Sequence, residues 1–210
     1  MKKNILFILL FLFTSIVAFA HPHVWMKSSF DFVFREKQLR GVYISWTFDK
    51  FFSSDIIAAY DKNRDGNFNE SETKEVFENA FISTKNYYYF TFIRVGKNRT
   101  SPKQVSLSDF SVRQKAGEMT YTFFVDLSAY KNEHEIFIAC YDYTFFCDIA
   151  YPESCVKFSG NENSATYKIV ENKNYPVYYD PFGAINDTRI YYEWKPGLNT
   201  YYPREIQLQF

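Results

Sequence analysis

Residues 24–48 read VWMKSSFDFVFREKQLRGVYISWTF. From Val24 to Phe34 apolar and polar residues alternate, which sets Phe30, Phe32 and Phe34 on one face of a strand. Arg35-Glu36-Lys37-Gln38 is a short charged joint. Leu39 to Phe48 then resumes a two-residue period, with either Val42, Ile44 and Trp46 or Tyr43 and Phe48 facing the core. Two such runs with a polar joint predict a β-hairpin.

Beyond Phe48 the period changes. Phe51, Phe52, Ile56, Ile57 and Tyr60 have helical spacing, and Ser53-Ser54-Asp55 can assist a helix start. A polar loop over 61–72 leads to a second helix with Val76, Phe77 and Phe81 as its apolar stripe, begun by Ser71 or by the loop itself. Strand-like runs return at Tyr87–Val95, Gln104–Gln114, Met119–Leu127, Glu135–Tyr141, Thr144–Ala150 and Ala165–Val170. The joints at Gly96–Arg99 and Lys115–Glu118 suit hairpin turns. Ser159–Ser164 reads as a polar turn. In the tail, Thr188–Trp194 is the last strand candidate, and Pro196 and Pro203 argue against regular sheet beyond it. No internal repeat is present. The pattern predicts an α+β chain, mainly an antiparallel β-sandwich with an EF-hand-like helix–loop–helix insertion at about 49–83. The sandwich domain would span 21–172, and a Tyr/Asn/Pro-rich extension 173–210.

Composition agrees. The 24 Phe, 18 Tyr and 3 Trp make up 21% of 210 residues, which excludes global disorder and favours strands. Lys+Arg and Asp+Glu both number 24, so no basic surface for nucleic acid is indicated.

Residues 1–20 read as a secretory signal. Lys2 and Lys3 precede the apolar run Ile5–Phe13, and Ala18-Phe19-Ala20 is an A-x-A cleavage signature. A retained transmembrane anchor is the alternative, although the apolar stretch is at the short end for spanning. Cleavage would leave a net charge of −2 and place His21 first in an exported, periplasmic chain. Three cysteines, Cys140, Cys147 and Cys155, permit one disulfide and one free thiol; Cys147–Cys155 is the favoured pair, and three buried thiols the alternative. No CxxC, GxSxG or HExxH motif is present, so no catalytic residue is indicated and the chain is not expected to be an enzyme.

Two segments point to metal. Residues 61–72 read DKNRDGNFNESE, with Asp61, Asn63 and Asp65 at positions 1, 3 and 5 of a twelve-residue loop. Gly66 sits at the bend, Asn67 offers its carbonyl at position 7, and Glu72 stands at position 12. That is the spacing of a calcium-binding EF-hand loop, and every ligand is an oxygen. Phe68 in the aliphatic position and the lack of a second loop depart from that pattern. A polar Asx-rich turn without an ion is the alternative. The second segment is the expected mature start, His21-Pro22-His23-Val24-Trp25. Residues i and i+2 of an extended chain share a face, so His21, His23 and the α-amine can approach one ion. Imidazoles suit zinc, nickel or copper. Pro22 has no N–H to lose, which excludes the planar amine–amide copper chelate. A third protein ligand or water is then needed; His134, Asp142 and Asp148 are the protein candidates.

These segments, with Trp46-Thr47-Phe48-Asp49-Lys50-Phe51-Phe52, Tyr87-Tyr88-Tyr89-Phe90-Thr91, Tyr141-Asp142-Tyr143-Thr144-Phe145-Phe146 and Asp180-Pro181-Phe182-Gly183, resemble the DUF1007 family over roughly residues 21–158. The resemblance implies a periplasmic component of an uncharacterised transport system, a partner of a nickel/cobalt- or zinc-type membrane permease. The family's histidines fall on His21 and His23, and its acidic loop on Asp61, Asn63, Asp65 and Glu72. The resulting expectation is a metal-binding accessory protein that captures zinc or nickel for a permease and carries structural calcium. A calcium-stabilised secreted interaction module and an oxidative copper enzyme with a terminal histidine brace are the competing readings.

Overall fold

The computed structural model describes residues 22–96, 101–160, 164–171 and 173–210. The first hairpin is β1 (Val24–Arg35) and β2 (Gln38–Phe48). Its register runs from Met26 opposite Phe48 to Arg35 opposite Gln38, with an irregularity between Val33 and Phe34. Glu36 and Lys37 both take positive φ, 52° and 61°, as a two-residue turn matched to the strand twist requires. Two helices follow, α1 (Lys50–Tyr60) and α2 (Glu70–Val76). A π turn at Phe77–Phe81 and a 3₁₀ segment at Ile82–Phe90 complete the helical excursion.

The remaining strands are β3 (Thr91–Arg94), β4 (Leu107–Lys115), β5 (Glu118–Asp126), β6 (Glu135–Cys140), β7 (Cys147–Ala150) and β8 (Val156–Gly160). After them come β9 (Thr166–Glu171), β10 (Val177–Tyr179), β11 (Asn199–Tyr201) and β12 (Arg204–Gln209). Strands occupy 44% and helices 19%, so the fold is mostly β with a minor helical part.

The first sheet has the order β4-β5-β2-β1-β7, and β8 continues the edge beside β1. β7 and β8 both run parallel to β1, along Val24–Lys27 and Phe30–Phe34; the other pairings are antiparallel. The second sheet is antiparallel, in the order β3-β6-β12-β9, and β10 pairs β11 separately.

Both larger sheets contribute to one apolar cluster: Phe30, Phe32, Ile44, Trp46 and Phe123 from the first, Ile136, Ile138, Ile206 and Leu208 from the second. Trp46 links them. Its ring centroid lies 4.8 Å from Phe123 and 5.5 Å from Phe90, and its indole N–H donates to Cys140 Sγ at 3.2 Å. The expected inward set Phe30, Phe32, Phe34, Val42, Ile44 and Trp46 is buried, with Phe48 on the same side.

Several expectations are corrected. α1 starts earlier than Ser53-Ser54-Asp55, because Asp49 accepts the N–H groups of Phe51 and Phe52 at 2.7 and 3.1 Å. Of the two starts considered for α2, the loop itself supplies it and Ser71 does not: Asn69 caps the helix in a reciprocal capping box with Glu72. The strand expected at Tyr87–Val95 shrinks to β3, since Tyr88, Tyr89 and Phe90 adopt φ of 56°, 49° and 46°. This left-handed turn costs about 1–2 kcal/mol per residue and sets Tyr89 on Phe81 and Phe90 on Trp46, at 5.4 and 5.5 Å between ring centroids. In the tail, Tyr191 makes only an isolated bridge to Tyr178, whereas β12 forms directly after Pro203 and lies between β6 and β9.

The cysteines are free and buried, so the favoured Cys147–Cys155 disulfide is replaced by the alternative of buried thiols. Register supplies the reason. Cys147 pairs with Val24, and Val156 with Phe30, which places Cys147 and Cys155 about five residues, roughly 16 Å, apart along β1. A disulfide needs Cα atoms within about 7 Å.

Candidate metal sites

The amino-terminal edge is built by β1, β7 and the start of α1. His23 is exposed. Its backbone N–H donates to Phe146 O at 2.8 Å, and its ring lies 4.8 Å from that of Phe146. Asp148 is the cross-strand partner of Trp25. Partners in a parallel ladder share a face, and so do residues i and i+2. Asp148 therefore stands on the His23 side of the sheet edge. Asp49 closes the other flank: its Oδ2 accepts the Trp25 N–H at 3.2 Å, and its own N–H donates to Trp25 O at 2.9 Å. His21 and the signal-like segment lie outside the described residues.

Of the other two candidate ligands, one is remote and one is buried close by. The His134 carbonyl accepts from Phe210, whose ring lies 6.0 Å from Phe34. His134 is thus at the far end of β1, on the order of 30 Å from His23. Asp142 is buried in the turn before β7. Its Oδ1 accepts the Thr144 N–H and hydroxyl at 2.9 and 2.8 Å, and its Oδ2 the Cys147 N–H at 3.0 Å. Burial pushes its carboxyl above the usual range, against these N–H groups, which favour the charged form. Asp142 organises the turn, and the Cys147 whose N–H it accepts is the register partner of Val24, so it is buried behind the amino-terminal edge.

The second candidate is the loop between α1 and α2. Asp61 and Glu72 are buried, 7% and 3% exposed, which is costly for carboxylates without compensation. Asp61 Oδ2 accepts the Gly66 N–H at 3.0 Å, while its Oδ1 is buried with no partner among the described residues. Glu72 Oε1 accepts the Lys62 N–H at 2.9 Å and Oε2 the Asn69 N–H at 3.0 Å, so the last loop residue closes back on the first turn. Asn63 Oδ1 accepts the Asp65 N–H, and Asp65 Oδ1 the Asn67 N–H, at 3.0 and 2.7 Å. Gly66 has φ of +78°, the bend that position needs.

The chemistry of the side chains suits an oxygen-binding dication: one buried carboxylate oxygen, Asp61 Oδ1, has no partner among the described residues, in a loop turned at Gly66 and rich in oxygen ligands. Among the described residues no group of three or more His, Cys, Asp or Glu is gathered tightly enough to hold a metal. In this conformation the carboxylates of Asp65 and Glu72 are turned onto the loop's own N–H groups.

Sequence reasoning passed over Asp49 and the Asn69–Glu72 box. Both had a signal: an Asp or Asn immediately before a helical run, followed in the second case by Glu three residues on.

The fold and these sites define a mainly β chain with a helix–loop–helix excursion at one end. The chain belongs to the DUF1007 family, described as proteins of unknown function, with residues 6–210 matched, the tail included. It is similar to an uncharacterized protein of Haemophilus influenzae (strain ATCC 51907 / DSM 11121 / KW20 / Rd), 25% identical over 167 residues, covering 78% of this chain and 79% of that one. It is also similar to an uncharacterized 15.5 kDa protein in the trpE 3′ region of Spirochaeta aurantia, 25% identical over 147 residues, covering 68% of this chain and all of the relative. No solved structure matches significantly. Among the described residues no helix is long and apolar enough to cross a membrane.

Proposed function

We propose that the chain is a periplasmic metal-binding accessory protein that captures zinc or nickel at His21 and His23 of its mature amino terminus and serves a membrane permease. The observation that carries this reading is the setting of His23: exposed at a sheet edge, anchored through its backbone to Phe146, with Asp148 on the same side. Backbone anchoring fixes where the His23 ring stands at the edge, and a neighbouring carboxylate supplies a further oxygen ligand or orients an imidazole. Few protein ligands and an exposed position suit exchange, which a carrier requires.

In the same reading the two sheets sharing one core form a sandwich. The helix–loop–helix is an EF-hand-like insertion that holds calcium through Asp61, Asn63, Asp65, the Asn67 carbonyl and Glu72. As a single, unpaired loop it serves as a structural site. The exposed Trp25, Phe51, Phe182 and Ile185, from 51% to 79% accessible, favour the second reading, a calcium-stabilised interaction module without a transport role.

The test is competition titration of zinc, nickel and copper on exported protein whose amino terminus has been sequenced as His-Pro-His. A tight site that weakens at least about tenfold in a His21→Ala/His23→Ala double variant supports capture at the amino terminus. Equal affinity in that variant rejects it and leaves the interaction module.

A further inference from the structure

The outward face of the first sheet bears side chains that belong to neither apolar cluster, and they are arranged in rows. Ser29, Ser45, Thr122 and Ser111 are successive cross-strand partners over β1, β2, β5 and β4. The neighbouring row is Lys27, Thr47, Thr120 and Arg113. Within these rows the Ser45 and Thr122 hydroxyls lie 2.8 Å apart, and those of Thr47 and Thr120 3.0 Å apart. On the other side Asp31, Tyr43 and Phe124 are register partners.

Phe124 lies flat on this face. A Cβ at Gly41 would stand 2.1 Å from Phe124 Cζ, so the ring crosses the strand where the side chain is missing. The Tyr43 ring is 5.0 Å away, and its hydroxyl donates to Asp109 Oδ2 at 3.3 Å. A trough of about 380 Å³ runs over the row of Ser29, Ser45, Thr122 and Ser111, bordered by Asp31, Tyr43, Arg113 and Lys157. Asp31 Oδ2 accepts from Ser159 Oγ at 2.9 Å, while its Oδ1 has no partner among the described residues.

This chemistry selects a ligand class. Hydroxyls both donate and accept, and the Tyr43 ring at the border of the trough offers a face on which the apolar side of a sugar can stack. The cations Arg113 and Lys157 are offset by Asp31 and Asp109, which disfavours a simple anion. A protein partner would need a desolvated anchor entering a pocket, whereas hydroxyls and charges dominate this trough. Adjacent strands stand about 4.8 Å apart, close to the length of one pyranose unit in an extended chain. We propose that this face binds a linear, β-linked oligosaccharide lying across the strands, one sugar unit per strand.

The test is a nitrogen-labelled NMR titration of the full processed protein with cellotetraose, chitotetraose and maltotetraose, with the monosaccharides alongside. Expected are saturable amide shifts at Ser29, Ser45, Ser111 and Thr122 with an extended β-linked tetramer, at affinity about tenfold or more above its monomer. Tyr43→Ala is expected to weaken binding about tenfold. Ser111→Tyr, at an exposed position away from the core, blocks the trough if Tyr43→Ala fails to fold. Absence of saturable shifts with all three tetramers, shifts that map elsewhere, or full binding by Ser111→Tyr overturns the proposal.

Discussion

Cys140 and Cys147 are thiols held in their neutral form. Burial pushes Cys140 up to about 12 and Cys147 well above the ordinary thiol value, and Cys155 rises for the same reason. Alkylation of the native protein is therefore expected to stay slow past about pH 8.5, where an ordinary thiol ionises. The unfolded, unreduced protein should titrate all three thiols; fewer would reveal a disulfide. The sign for stability follows. A raised pKa in the folded state stabilises below the unfolded value and loses that contribution as pH rises, so the melting temperature should fall in alkali. Cys140→Ala removes the acceptor of the Trp46 indole N–H and should cost about 1–3 kcal/mol in a denaturant melt. The sequence told which residues were aromatic and core-facing, through the parity of Phe30, Phe32 and Phe34. It could not tell that Trp46 would meet Cys140, because no local pattern encodes a contact across 94 positions.

The α1–α2 excursion is where the proposed calcium site is tested. Millimolar calcium is expected to raise the melting temperature of the wild type and to leave Glu72→Gln unmoved, since the variant lacks the carboxylate that closes the loop. In chelator the same substitution keeps a polar group in the capping box and should cost no more than about 1 kcal/mol. Gly66→Ala forces a Cβ onto a backbone at φ +78° and should destabilise by about 1 kcal/mol in either condition. Equal calcium shifts in wild type and Glu72→Gln would contradict the ion site. This element was the most legible part of the chain, because its spacing, turn glycine and flanking helical periods are all local. The strand misread at Tyr87 was not. Aromatic residues favour strands, and nothing in Tyr88-Tyr89-Phe90 carries the glycine or asparagine that announces a left-handed turn.

Across the molecule, the tail closes the second sheet. β12 lies between β6 and β9 and buries Ile206 and Leu208 fully. Two such side chains contribute about 3–6 kcal/mol, a large share of the 5–15 kcal/mol that holds a typical domain together. Truncation after Tyr202 should abolish cooperative unfolding by circular dichroism; a truncated chain that melts as sharply as the full one would contradict this placement. The tail was opaque to sequence reading because Pro203 and the polar Tyr/Asn-rich stretch masked a short strand whose partners are distant. The parallel docking of β7 and β8 on β1 was equally hidden, since long-range parallel pairing leaves no local mark.

At this scale β1 joins the parts of the molecule: one end presents His23, its inner face builds the core, and its edge sets Asp148 opposite Trp25. Calorimetric titration of zinc into the exported, processed protein decides whether the amino-terminal histidines hold metal. One tight site is expected, lost in His21→Ala/His23→Ala and kept in Glu72→Gln. Undiminished zinc binding in the histidine variant, or loss confined to the loop variant, would contradict it.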